Sequence, residues 1–239
     1  ADIEPMRDIL AGLETFPIPA EHSRRVLAMA LARGVLTRQP FIAAKYTSPA
    51  LRERVRVLAA QSDLVHFDML PLVSCADLVP RGTPVAYNAH NVEHLLLEKR
   101  VEIESRPAIR RFLQHQVPRL RDFERDAVRR SDLVLACSDA DALVLRADAA
   151  GTDVQVVPNG VDLDENRPAP EGTPVKPQLV FVGQMGWFPN RDGVDWFLRE
   201  IFPRILAVRP EVEFVLVGKA DGLVAPAEVP VEMNAFKSQ

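Results

Sequence analysis

From Asp63 to Val217 the chain alternates between short apolar runs and longer stretches with apolar residues at helical spacing. Leu64-Val65-His66-Phe67, Pro84 to Asn88, Leu133 to Ala136, Val154 to Val157, Leu179 to Val182 and Glu213 to Val217 read as strands, with a further strand near Val229 to Phe236. Between them lie a helical stretch ending near Val79, a helix over Glu93–Glu104, an amphipathic region over Ala108–Arg130, a helix capped by Ser138 with Asp141 three residues on, and a helix over Asp192–Val208. Pro118 is expected to kink or divide the amphipathic region, and Pro203 to interrupt the last helix. Strands alternating with helices predict an α/β protein with parallel sheets and helices on both faces. Before Asp63 the periodicity predicts three helices: Asp2–Leu13, Glu21–Ala32 with Gly34 as its stop, and one opened by Ser48 as N-cap with Pro49 in the first turn.

Residues 163–177 hold Pro168, Pro170, Pro174, Pro177 and Gly172, and mark a domain boundary. The expected organisation is a domain over 1–162, a linker over 163–177 and a second domain over 178–239, with no internal repeat. Apolar residues at 47% and charged residues at 26% exclude global disorder. A net charge of −4 argues against a dedicated nucleic-acid binder. Cys75 and Cys137 stand far apart without metal-ligand spacing, and the start Ala-Asp-Ile-Glu-Pro carries no export-signal pattern, so the expectation is a reduced, cytoplasmic chain.

In open parallel sheets ligands bind at the carboxyl ends of the strands. Here those ends carry Asp68; then Asn88, His90, Asn91 and Glu93; then Ser138 and Asp139; then Gly183, Gln184, Trp187, Asn190 and Arg191; then Gly218, Lys219 and Asp221. Strand ends emerge into water and are polar for that reason too, so the pattern alone leaves both readings open. His90 and Glu93 could transfer a proton or orient a hydroxyl. His90-x-x-Glu93-His94 also matches a zinc-peptidase string, but that chemistry needs both histidines on one helical face, and His90 follows a strand directly. No metal is expected, and His94 reads as a surface or capping residue. Gly183 and Gly186 let a ligand approach the backbone, the following helix start offers free N–H groups, and Arg191 adds a cation suited to phosphate.

His90-Asn91-Val92-Glu93, Ser138 after a strand, Val157-Pro158-Asn159-Gly160-Val161-Asp162, and Phe181-Val182-Gly183-x-Met185-x-Trp187-x-Pro189-Asn190 together resemble the family 4 glycosyltransferases of the GT-B class. The resemblance runs from about Asp63 to Gly218, and bacterial exopolysaccharide-type sugar transferases look most similar. It implies two Rossmann-like domains facing a cleft, a nucleotide-diphosphate sugar held mainly by the second, an acceptor held mainly by the first, and transfer with retention and without a metal or other cofactor. Carried over, His90 lies against the donor sugar as the catalytic residue. Gly183, Gln184, Asn190, Arg191, Gly218 and Lys219 bind the donor, and Asn88, Asn91 and Glu93 lie on the acceptor side. The chain departs from the family pattern at Gln184, where many members carry an arginine. The early glycine-rich loop and the late two-glutamate motif are not in the sequence, so the resemblance implies a piece lacking both ends, with both domains incomplete and no transfer by the piece alone.

The implied role is sugar transfer to a glycan or lipid-linked acceptor in bacterial surface polysaccharide synthesis. A nucleotide-sugar epimerase of the same plan and a non-catalytic nucleotide-sugar-binding module stay open as alternatives. Eight arginines between Arg106 and Arg130 against Asp122, Glu124 and Asp126 give either a solvated helix or peripheral contact with the cytoplasmic face of a membrane.

Overall fold

The structure, a computed structural model, describes residues 9–18, 20, 23–164, 166–168, 170, 172 and 176–218, and the backbone of 231–234. The chain divides into two compact units, Ala1–Gly160 and Val161–Gln239.

The first unit opens with α1 (Arg24–Leu36), α2 (Phe41–Tyr46) and α3 (Pro49–Ala59). It continues through β1 (Val65–Asp68), a 3₁₀ segment (Leu70–Leu78), β2 (Val85–Ala89), α4 (Glu93–Ile103), α5 (Pro107–Arg130), β3 (Leu133–Ala136), α6 (Asp139–Asp148) and β4 (Asp153–Val156). The four strands form one parallel sheet in the order β1-β2-β3-β4. The second unit holds β5 (Gln178–Val182), α7 (Phe188–Trp196), a π turn (Phe197–Ile201), α8 (Phe202–Val208), β6 (Glu213–Val217) and β7 (Val231–Asn234), again a parallel sheet. The expected mixed α/β architecture with parallel sheets is what the chain adopts. β2 and β6 are buried along most of their length and need no polar alternation, which is why they stand out as runs.

Each unit has its own core. Tyr87, Val134, Ala136, Leu120 and Val128 centre the first, with α5 packed on the sheet. Met185, Val194, Leu198, Phe202, Phe214 and Leu216 form the second. On β5, Val180 and Val182 stay more than half exposed, at 58% and 62%. Among the described residues no helix is long and apolar enough to cross a membrane.

Caps formed where the sequence placed them. Ser48 Oγ accepts the Leu51 N–H at 3.2 Å, and Ser138 Oγ accepts the Asp141 N–H at 3.1 Å while donating to its carboxylate at 2.7 Å.

Four expectations are corrected. Residues 9–13 are not helical; Ile9 is 84% exposed, so no packed face supports a helix there, and Asp2–Asp8 lie outside the described residues. Gly34 does not stop its helix. It lies buried inside α1, where a Cβ would meet Phe41 Cβ at 3.2 Å, so it serves close packing instead. Pro118 does not divide α5. Its flanks are fixed by packing, for Leu120 is buried and Gln116 donates to the Gly34 carbonyl at 2.7 Å and accepts the Phe41 N–H at 2.9 Å. Those contacts outweigh the roughly 3 kcal/mol an internal proline costs. The helix after β5 starts at Phe188, four residues before Asp192, because Pro189 fits a first helical turn. Pro203 then sits in the first turn of α8, directly after the π turn.

Candidate functional site

At the carboxyl edge of the first sheet, Asp68 ends β1 and Asn88 lies beside it in register on β2. Paired positions on neighbouring parallel strands point to the same face. Asn88 Nδ2 donates to Asp68 Oδ1 at 2.7 Å, and His90 Nε2 meets the same oxygen at 2.7 Å. A carboxylate only accepts, so His90 Nε2 carries the hydrogen, and Nδ1 makes no hydrogen bond among the described residues. The His90 hydrogen bond, aided by Asn88, holds the Asp68 carboxyl below its usual range. Both Asp68 and His90 are about half exposed, so an incoming ligand can reach them. The chain leaves β1 through Met69 at φ 120°, a conformation costly for a non-glycine residue and found where the surrounding structure imposes it.

Beneath this edge lies a buried polar group of residues. Glu124 comes from the middle of α5 and is fully buried. Its Oε1 accepts the Glu93 N–H at 2.7 Å, satisfying a first-turn donor of α4, and its Oε2 pairs with His94 Nδ1. Burial pushes the Glu93 carboxyl above its usual range, and the neighbouring Glu124 charge adds to this, while Asn91 bonds the same carboxyl and opposes it. Burial likewise pushes the Tyr87 phenol well up, with Glu124 and Glu93 contributing. His94 is therefore not the surface or capping residue expected: it is buried and hydrogen-bonded to Glu124. His90 stands two residues before Val92, the N-cap of α4, so His90 and His94 share no helical face and turn to different carboxylates. Among the described residues no group of three or more potential metal-ligating side chains occurs.

A raised carboxyl pKa in the native state means that stability present below the unfolded value is lost as pH rises through the folded value. Glu93 therefore opposes folding at neutral pH. Glu93→Gln should raise the melting temperature at pH 7, with the gain fading as pH falls toward about pH 4.3, the ordinary glutamate value, and absent below it; melting curves across that range check it.

In the second unit the carboxyl ends of β5 and β6 meet at two glycines. Gly183 N–H donates to the Val217 carbonyl at 2.9 Å. Gly218 has φ +140°, and a Cβ there would lie 2.0 Å from the Gly183 carbonyl oxygen. At Gly183 a Cβ would meet Asn190 Nδ2 at 2.8 Å. Asn190 Nδ2 donates to the Gln184 carbonyl at 3.1 Å, closing the loop into the first turn of α7. Met185 points down as a fully buried plug, whereas Gln184 and Trp187 are exposed. Arg191 lies in the first turns of α7 and makes no side-chain ion pair or hydrogen bond among the described residues. Lys219 and Asp221 lie outside the described residues.

The structure thus joins Asn88 and His90 through Asp68, joins Asn91 to Glu93, and joins Gly183, Asn190 and Gly218 within one loop cluster. Sequence reading noted Asp68 only as a strand-end residue and gave Glu124 no part in the site. Asp68 had a signal, since it ends one strand as Asn88 ends the next; Glu124 had none, being one acid among many arginines.

The chain belongs to Glycosyltransferase Family 4, whose sequence profile matches residues 14–165. The profile of Glycosyl transferases group 1 matches residues 176–234. Among curated proteins no match was found. Among solved structures, sucrose-phosphate synthase from Thermosynechococcus elongatus is similar at TM-score 0.50 and 16% identity, covering 74% of this chain and 43% of that one. The α,α-trehalose 6-phosphate synthase from Burkholderia multivorans is similar at TM-score 0.50 and 14% identity, covering 91% and 52%. At such identities the likeness is one of fold, that of the GT-B glycosyltransferases. The chain spans about half the length of these two structures.

Proposed function

We propose that the chain is the acceptor-side domain and part of the donor-side domain of a retaining glycosyltransferase. It would move a sugar from a nucleotide-diphosphate donor to a glycan or lipid-linked acceptor in bacterial surface polysaccharide synthesis, at the cytoplasmic face of a membrane. The observation that carries this reading is the Asp68–Asn88–His90 cluster, a hydrogen-bonded histidine with one free nitrogen at a strand edge. His90 Nδ1 orients a sugar hydroxyl, and the ring held by Asp68 steadies positive charge developing as the glycosidic bond breaks. Asn91 and Glu93 lie on the acceptor side, with Asn88 fixing Asp68. Gly183 and Gly218 let the diphosphate approach the backbone, Gln184 flanks it, and Arg191 supplies charge; Lys219 is assigned to the donor by the family resemblance alone. Asn190 serves the loop as much as the ligand, since its amide already holds Gln184. No metal or cofactor is needed for these roles. Contact with the membrane runs through 106–130.

The test is calorimetric titration with nucleotide-diphosphate sugars and a transfer assay on the full-length protein. His90→Ala should lower kcat about 10²-fold, the size typical of a positioned polar group. Arg191→Ala should instead raise donor KM about tenfold, one lost charged contact. Wild-type turnover in His90→Ala would remove His90 from the site. A donor altered without any acceptor would mark an epimerase.

A further inference from the structure

The first unit carries a second surface, lined by none of the strand-edge residues, where α1 and the start of α5 leave an open apolar groove. It has a volume of about 600 Å³ and is lined by residues of both helices, among them Leu31, Val35, Leu36, Ile109 and Phe112. The two helices are locked to one another below it: Gln116 reaches the Gly34 carbonyl at 2.7 Å, His115 meets the Val35 carbonyl at 3.2 Å, and Arg119 donates to the Thr37 carbonyl at 2.9 Å. The groove is therefore built. Its walls are open to solvent, with Leu36 82% and Val35 44% exposed and Met29 of the same helix at 58%.

Charge is segregated around it. Between Ser23 and Thr47 stand Arg24, Arg25, Arg33, Arg38 and Lys45 with no acidic residue, and between Ser105 and Arg121 stand Arg106, Arg110, Arg111, Arg119 and Arg121, again with none. These segments hold ten of the 29 cations, leaving 19 against all 33 acids elsewhere in a chain of net charge −4. Arg24, Arg25, Arg33, Arg38, Arg110 and Arg111 are exposed and engage no acidic partner among the described residues. The rest of the 106–130 helix differs: Leu120, Glu124, Ala127 and Val128 are buried, and Arg121 and Arg125 are paired with Glu98 and Asp122.

An exposed apolar patch marks an interaction site, and its charged surroundings select the partner. Apolar side chains amid unpaired arginines match a bilayer whose headgroups are anionic: the leucines enter the acyl boundary and the guanidiniums meet phosphate. We propose that the α1–α5 groove docks this protein onto an anionic membrane surface. This deepens the membrane contact in the functional reading above and moves it from the whole 106–130 helix to α1 and the first turns of α5. Only the first turns of the long arginine helix take part in the contact; its distal half belongs to the core.

The experiment is vesicle flotation of the purified protein, without donor or acceptor, so that its failure leaves the transfer reading intact. Phosphatidylcholine vesicles are compared with vesicles that also contain phosphatidylglycerol. Binding should need phosphatidylglycerol and fall at least tenfold between low salt and about 0.5 M NaCl. Leu36→Asp, and separately Arg110→Glu with Arg111→Glu, should each weaken binding about tenfold or more while leaving the melting temperature unchanged, because these side chains are exposed. Equal binding to both vesicle types, binding that neither variant weakens, or no binding at all would overturn the proposal. So would a dimer that Leu36→Asp dissociates in the absence of vesicle binding, which would make the groove a contact between copies.

Discussion

Glu124→Ala should destabilise the first unit by about 3–5 kcal/mol, the size seen when one partner of a buried pair is removed. Two bonds are lost at once: Oε1 no longer receives the Glu93 N–H, and Oε2 no longer receives His94 Nδ1. His94 is buried, so water does not replace the carboxylate. A void also opens between α4 and α5. Glu124→Gln separates these effects. It keeps an acceptor for the Glu93 N–H and roughly the same volume but removes the charge, so it should cost less than the alanine. It also carries a pH signature that a mere packing defect lacks. Glu124 raises both the Glu93 carboxyl and the Tyr87 phenol. In Glu124→Gln the Glu93 carboxyl should sit closer to the usual range, so the stability lost as pH rises through it is smaller and lost earlier. Urea denaturation of both variants across pH 4–9 measures this. Identical losses for alanine and glutamine, with no change in pH dependence, would show that Glu124 acts through volume alone.

The strands were legible as short apolar runs, most plainly β2 and β6, which are buried along most of their length; β1 to β6 fall within one residue of where the sequence places them, and β7 is two residues shorter at each end. Ser48 and Ser138 were legible because a capping hydroxyl acts over three residues of local chain. What could not be read depends on distance or on backbone angle. The pairing of His94 with Glu124 spans 30 residues of chain and is decided by which face α5 turns inward. Met69 at φ 120° looks like any residue after a strand. Gly34 looked like a stop because glycine ends helices more often than it packs inside them; only Phe41, brought back by α2, shows otherwise. In the candidate site the loops were identified from the strand ends, but the roles shifted. Asp68 became the centre of its cluster, and Asn190 became a loop staple before it could be a ligand contact.

The site also shows a division of labour that the family resemblance leaves unexplained. The first unit places an exposed hydrogen-bonded histidine close to a partly buried carboxylate, Glu93, whose ionisation opposes folding. Stability is spent under the His90–Glu93 loop, and Glu124 is the group that both holds the loop and raises the local cost.

In the second unit the corresponding constraint is steric. Gly218→Ala should cost roughly 4 kcal/mol, combining a left-handed backbone of about 1–3 kcal/mol with an overpacking penalty of about 1–3 kcal/mol. The clash is with backbone: the new Cβ would stand 2.0 Å from the Gly183 carbonyl oxygen and 2.9 Å from its carbon. Relief requires β5 and β6 to part at their carboxyl ends, where Gly183 N–H bonds the Val217 carbonyl. Among the described residues the second core rests on six covered side chains, and a loss of this size is a large fraction of a stability of about 5–15 kcal/mol. Gly183→Ala is the informative contrast. Its Cβ would meet the Asn190 amide at 2.8 Å and the Phe181 ring edge at 2.9 Å, both ends of side chains that can move. It should leave the second unit folded while displacing Asn190 from the Gln184 carbonyl, and so weaken donor binding by about tenfold or more, the loss of one or two loop contacts. Hydrogen exchange resolved by segment separates the two. Gly218→Ala should expose 178–218 to exchange while leaving β1 to β4 protected, and Gly183→Ala should keep both units protected. Full protection of 178–218 in Gly218→Ala would mean that the glycine crossing does not hold the strands as described, and undiminished donor binding in Gly183→Ala would place the diphosphate somewhere other than this loop.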